Sequence, residues 1–226
     1  MLSEIGGTEM TRDRLGIWVR EFGGGSQVWL TERMAIEDIA LATSLSNVTV
    51  VAPADEPSMR AATRAIFEVE GPVYLRSGRP KMPIVYPDGV DFELGKANQL
   101  REGDDVTIMA YGLMVVAALE AAAELSKDSI EARVLDMHTV KPLDADAVEQ
   151  AARETGAIVT AEEHVLNGGM GAEVARTVGQ QYPVPMAFVG IDNAYAESGD
   201  PEELLRKYGL MPTDIKRAVN RTLTRK

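Results

Sequence analysis

The chain predicts an α/β protein: a partial α/β unit followed by a doubly wound, mostly parallel domain. Three observations predict it. From residue 105 to the C-terminus, short β-branched runs alternate with stretches of helical period. An earlier segment, residues 34–80, runs through one strand–helix–strand unit and stops. Between them, residues 81–104 carry Pro83, Pro87 and the turn pair Asp88-Gly89, and read as a linker. Residues 1–33 show no sustained period of 2 or 3.6, contain the run Gly23-Gly24-Gly25, and are expected to be an aberrant or poorly ordered segment.

The elements follow in order. Ile36, Ile39, Ala40 and Thr43 share one helical face. Asn47 to Val51 is a β-branched run that Pro53 ends, because proline cannot donate to a strand ladder. Glu56 to Val69 is helical, with Met59, Ala62, Ile66 and Val69 as its inner stripe, and Gly71-Pro72 breaks it. Val73-Tyr74-Leu75 is the next strand, so this unit implies parallel strands and a right-handed crossover. In the second domain, strands are expected at 106–110, 130–135, 157–161 and 186–191. Helices are expected at 113–125, 144–154, 171–181, 201–207 and 213–224.

Composition removes whole classes of function. The chain has 226 residues, a net charge of −12 and 45% hydrophobic residues, enough for a core. A nucleic-acid binder would present a basic face, so this balance argues against one. There is no cysteine, and His138 and His164 are the two histidines, so disulfide chemistry is excluded and a zinc site is not expected. No apolar run approaches the roughly 20 residues that span a bilayer, and no apolar signal core opens the chain. A cytoplasmic protein without membrane attachment is expected.

Several stretches resemble a known family. "AIEDIAL", "SNVTVVAPADEPSMRAA" and "GPVYLRSGRP" are similar to the second half of the pyrimidine-binding domain of transketolases. "EGDDVTIMAYGLMVVAALEAA", "ARVLDMHTVKPLD", "GAIVTAEEHVLNGGMG" and "AYAESGDPEELLRKYGL" resemble the transketolase C-terminal domain, in order and spacing. The resemblance covers residues 34–226 and is nearest to split transketolases, whose N- and C-terminal halves are separate polypeptides. It implies residues 34–80 as a partial pyrimidine-binding domain and 105–226 as the C-terminal domain. It also implies an enzyme that uses thiamine diphosphate and Mg2+ to move a two-carbon ketol unit between sugar phosphates. An N-terminal partner subunit, a homodimer through the C-terminal domain, and inactivity of this chain alone are implied too. The beta subunit of a 2-oxoacid dehydrogenase and a deoxyxylulose-phosphate synthase fragment share "KPLD" and stay open, as does a non-catalytic remnant that only dimerises.

The departures are as informative. No Gly-Asp-Gly occurs, so the diphosphate and the metal are expected on partner residues. Where the family has Asp-Gly-x-Ser/Thr-His-Gln, this chain reads Leu30-Thr31-Glu32-Arg33-Met34, and nothing before it matches the strand that carries the cofactor-activating Glu. Codons for Val28 to Arg33, read two bases along, can spell Val-Ala-Asp-Gly-Ala. A frameshift and a divergent start are the two expectations for this head.

No catalytic residue and no metal ligand are assigned within the chain. Arg76 follows a parallel strand, where such sheets place binding residues, and matches the family arginine that holds the sugar phosphate. A guanidinium fork suits phosphate oxygens. Arg79 is a candidate helper. Glu37 and Asp38 read as acidic residues opening a helix rather than an acid–base pair. His138 reads as a turn or interface residue. Glu162-Glu163-His164 precedes the turn Asn167-Gly168-Gly169-Met170-Gly171, which could cradle an anion through N–H groups or simply let helix and sheet approach; the resemblance favours the second. "MAYGLMVVAAL" lacks G-x-G-x-x-G, so a dinucleotide site is not expected.

Overall fold

The structure, a computed structural model, describes the backbone of residues 16–22 and 25–31, and residues 36–77 and 83–226. Strands β1 (Gly16–Phe22) and β2 (Gly25–Thr31) form an antiparallel hairpin, in register from Gly16 opposite Thr31 to Phe22 opposite Gly25. The sequence pattern assigns no element there. The rest of the 1–33 segment, and Glu32 to Ala35, lie outside the described residues.

The first unit comprises α1 (Asp38–Ser44), β3 (Thr49–Val51), α2 (Glu56–Ala65) with a closing 3-10 turn at Ile66–Glu68, and β4 (Val73–Leu75). β3 and β4 pair in parallel, as the strand–helix–strand pattern requires. Asp55 starts α2 with a reciprocal cap: its Oδ1 accepts from Ser58 N–H at 2.9 Å, and its own N–H donates to Ser58 Oγ at 3.0 Å. The other oxygen, Oδ2, accepts from the N–H groups of Val85 and Tyr86 at 2.7 and 2.8 Å, which ties the helix to the connecting segment.

The second unit holds β5 (Asn98–Arg101), β6 (Val106–Ala110), α3 (Met114–Ser126), β7 (Ala132–Asp136), β8 (Thr139–Lys141) and α4 (Ala145–Thr155). It continues with β9 (Ile158–Val165), α5 (Met170–Gln181), β10 (Met186–Ile191), α6 (Pro201–Lys207) and α7 (Pro212–Leu223). The main sheet runs β10-β9-β6-β7-β5, parallel except for the antiparallel edge strand β5. One apolar core gathers α3 and α7 on one face, and a second gathers α4 and α5 on the other, which is the doubly wound arrangement. In α3, Ala118, Ala121 and Ala122 are fully buried; small side chains let the helix lie close to the sheet.

Besides β1 and β2, two strands go beyond the sequence pattern. β5 falls inside the expected linker; Asn98, Gln99 and Arg101 make it a polar edge with no apolar alternation. β8 is three residues long and leaves the main sheet. It pairs antiparallel with β3, so the small sheet reads β4-β3-β8 and is completed by a strand from the other unit. Ile39, Ala42, Val50 and Tyr74 share a core with Val148, Ile158 and Val174, so the first unit is packed onto the second. Among the described residues, no helix is long and apolar enough to cross a membrane.

Candidate functional site

In the main sheet the chain runs from β6 to β7 on one side and returns to β9 on the other, so the direction of winding switches between β6 and β9. In open α/β sheets, ligands bind beyond the carboxyl ends of the strands at such a switch. Ala110 ends β6 and pairs with Ala161 in β9, which runs on to Val165, so Tyr111 just past β6 and Glu162 within β9 stand side by side, both buried. The Tyr111 hydroxyl donates to Glu162 Oε2 at 3.4 Å.

Glu162 settles what the glycine turn is for. Its Oε2 accepts from Met170 N–H at 2.8 Å and its Oε1 from Gly171 N–H at 2.9 Å. The helix N-terminus is therefore already occupied by a carboxyl group that the chain itself supplies. A Cβ on Gly169 would lie 2.3 Å from Glu162 Oε2, and one on Gly171 would lie 2.7 Å from Thr160 Oγ1. The glycines make room for the carboxylate, in agreement with the close-approach reading rather than a phosphate cradle. Burial pushes the Glu162 carboxyl up to about 7, against the pull of its two N–H donors.

The first unit lays a second polar group over this edge. Arg76 leaves β4 with its N–H bonded to Val51 O at 2.8 Å. Its Nε lies 2.9 Å from Asp38 Oδ2, its Nη2 donates to the carbonyl of Glu163 at 3.1 Å, and its Nη1 is 3.7 Å from the Glu163 carboxylate. The Tyr74 hydroxyl donates to the same Asp38 oxygen at 2.5 Å. Arg76 is thus at the edge where the sequence puts it, but it is no loose surface cation: its side chain is 16% exposed and engages two acidic residues. Asp38 does open α1, yet its buried carboxylate is taken up by Arg76 and Tyr74. Arg79 lies outside the described residues.

Both histidines are buried and serve the packing. His164 Nδ1 lies 2.6 Å from Val165 O, a contact that carries the ring proton, and Nε2 accepts from Ala40 N–H at 3.2 Å. Burial lowers its pKa below the ordinary value, which favours the neutral ring. His138 lies on Phe92 with ring centroids 3.9 Å apart, and burial lowers its pKa to about 4. That placement is an internal packing contact between the connecting segment and the turn before β8.

Asp136, at the end of β7, is a residue that reading the sequence passes over. Tyr86 donates to its Oδ2 at 2.7 Å, and burial pushes its carboxyl up to about 7. An aspartate closing a β-branched strand is the one signal the sequence offers for it. Among the described residues, no group of three or more His, Asp or Glu side chains could hold a metal ion.

Comparison with known proteins gives a consistent picture. The family of transketolase C-terminal domains matches residues 95–215. The chain is 41% identical over 206 residues to a 6-deoxy-6-sulfo-D-fructose transketolase subunit of a Clostridium species, covering 91% of this chain and 62% of that protein. It is 40% identical over 177 residues to an apulose-4-phosphate transketolase subunit from Phocaeicola vulgatus, covering 78% of this chain and 56% of that protein. A solved structure described as a split-gene transketolase, inactive β4 tetramer, superposes with a TM-score of 0.83 at 46% identity, covering 85% of this chain and 63% of that one. The chain thus spans somewhat more than half the length of these relatives.

Proposed function

The chain belongs to the transketolase family, as a C-terminal section, and from that premise we propose that it is the C-terminal subunit of a split transketolase of the cytoplasm. Joined to an N-terminal subunit, it would transfer a two-carbon ketol unit between sugar phosphates; alone, it would be inactive. The observation that carries the reading is its likeness, across both units, to a split-gene transketolase. That relative is itself described as inactive in its β4 form. Leu41, Leu45 and Phe67 stay exposed on the first unit, apolar surface that a partner would cover.

The residues present do not fit the diphosphate-and-metal end of thiamine diphosphate. The sequence has no Gly-Asp-Gly, and the described residues offer no metal-binding cluster. That end is assigned to the N-terminal subunit. This chain's part is to grip the anionic end of the sugar and to back the site with a packed wall. The grip is assigned to Arg76, the cation it brings to the sheet edge, held in plane by Asp38. The names of the relatives span a sulfonated sugar and a sugar phosphate, and a guanidinium fork suits either anion.

The test is reconstitution. Mixed with the N-terminal half, magnesium and thiamine diphosphate, the chain should transfer ketol units from xylulose 5-phosphate to ribose 5-phosphate, with 6-deoxy-6-sulfofructose tried as a second donor. Turnover of pyruvate instead, or no gain over the separate halves, sinks the reading. Arg76→Lys keeps the charge and loses the fork; KM for the anionic sugar should rise about tenfold or more, with kcat less affected. The lysine is the informative variant, since Arg76→Ala leaves Asp38 buried without its cation at a cost of about 3–5 kcal/mol. An unchanged KM in Arg76→Lys removes Arg76 from the site.

A further inference from the structure

We propose that His164 and Lys141 are positioning residues that clamp α1 at its two ends and thereby set the guanidinium of Arg76 at the sheet edge. The helix α1 needs such help. It has seven residues, its N-cap residue Glu37 makes no side-chain cap bond, and its last turn carries no basic residue. A helix this short is not stable by itself. Its terminal N–H and C=O groups must find partners elsewhere.

Both ends find them on the second unit. At the N-terminal end, Ala40 N–H donates to His164 Nε2 at 3.2 Å, and just ahead of the helix Ile36 O accepts from Val165 N–H at 2.8 Å. At the C-terminal end, Lys141 Nζ donates to Thr43 O at 2.8 Å and to Leu45 O at 2.5 Å. His164 lies near the end of β9 and Lys141 ends β8, so two strands of the second unit fix the helix that carries Asp38. Asp38 is 1% exposed and lies 2.9 Å from Arg76 Nε. A small rotation of α1 would swing Asp38, and the arginine plane would follow.

The acceptor role of His164 depends on its tautomer. With Nδ1–H on Val165 O, the lone pair of Nε2 is left for Ala40. A second proton at Nε2 would face that N–H group and break the N-terminal hold. The charged groups that act on His164 are Asp38 on α1 and Arg76 after β4, together with the backbone carbonyls of Val165 and Glu37. Burial lowers the His164 pKa, so the clamp is intact at neutral pH and opens only in acid.

The experiment uses the full chain and reads the Arg76 Nε–H by NMR, with circular dichroism and Tm as controls for folding. In His164→Leu and Lys141→Met, exchange of the Arg76 Nε–H with solvent should speed up about tenfold or more. In His164→Gln, whose amide oxygen can replace Nε2, it should stay within about threefold of the parent. Unchanged Arg76 exchange in folded His164→Leu and Lys141→Met overturns the clamp. If those variants do not fold, acid titration of the parent decides: the Ala40 amide and the Arg76 Nε–H should shift with one midpoint, and separate midpoints overturn it.

The catalytic consequence rests on the proposed function. In the reconstituted enzyme, His164→Leu should raise KM for the anionic sugar with kcat within about twofold, and His164→Gln should restore KM. A loss in kcat alone would break the link between clamp and grip. Failure of the parent mixture to turn over, with the NMR response intact, would count against the functional reading and leave the clamp supported.

Discussion

Asp136 closes β7 with one carboxylate oxygen bonded to Tyr86 and the other accepting no hydrogen bond among the described residues. Its carboxyl is pushed from 3.8 up to about 7, first by burial. The sign follows from linkage: between those values the folded chain holds a proton that the unfolded chain has lost. The stability that Asp136 contributes is therefore present below about pH 4 and is lost as pH rises to about 7, a swing of about 4 kcal/mol at this order of magnitude. Asp136→Asn keeps an acceptor for Tyr86 and removes the titration. The variant should gain in Tm relative to the parent from pH 5 to 7 and hold a constant difference above that. Parallel Tm curves across pH 5–8 would show that Asp136 does not titrate there. None of this is legible in the sequence, where Asp136 is only the residue after a strand. Arg76 is legible as a strand-end arginine, but its ion pair with Asp38, 38 residues earlier, follows from the crossover geometry and not from any local pattern.

At the scale of elements, "EEHVLNGGMG" shows what pattern reading captures and what it leaves out. The turn and the helix after it are visible as glycine-rich and amphipathic stretches, but the strand expected to stop at Ala161 runs on to Val165 and takes in Glu162, Glu163 and His164. Which anion the helix accepts is not visible, because nothing local says that the Glu162 side chain turns back onto it. A pair of substitutions tests this coupling. Gly169→Ala places a Cβ 2.3 Å from Glu162 Oε2 and should cost about 1–3 kcal/mol, read by urea unfolding. Glu162→Ala removes the obstacle and strands two N–H groups, at a similar cost. The double variant should cost less than the sum, by about 1 kcal/mol or more; strict additivity would show that the glycine does not serve the carboxylate. Long helices such as α3 and α5 are readable because their period repeats. β5 and β8 are not, since three polar residues around one leucine, and three mixed residues, carry no period at all.

At the scale of the molecule, the question is whether residues 36–77 form a domain. By themselves they are close to the roughly 40-residue size below which chains seldom fold without help. The help is structural: β8 completes their sheet, Ala52 N–H donates to His138 O at 2.8 Å, and their apolar residues share a core with α4 and α5. The sequence shows a proline-marked boundary at 81–104, yet burial crosses it, because β3 has no second neighbour until a strand nearly 90 residues later arrives beside it. Cooperativity should follow the burial. In native-state hydrogen exchange, the amides of Val51, Ala52 and Arg76 should open with free energies within about 1 kcal/mol of those of Ile108 and Val134 in the main sheet. Calorimetry should then give one transition for the two units. Protection lost earlier at Val51 and Arg76 would mean that the first unit unfolds by itself and that the grip proposed for Arg76 would need a partner to order it. Equal protection would mean that the second unit builds the first, and that Arg76 is in place before any partner arrives.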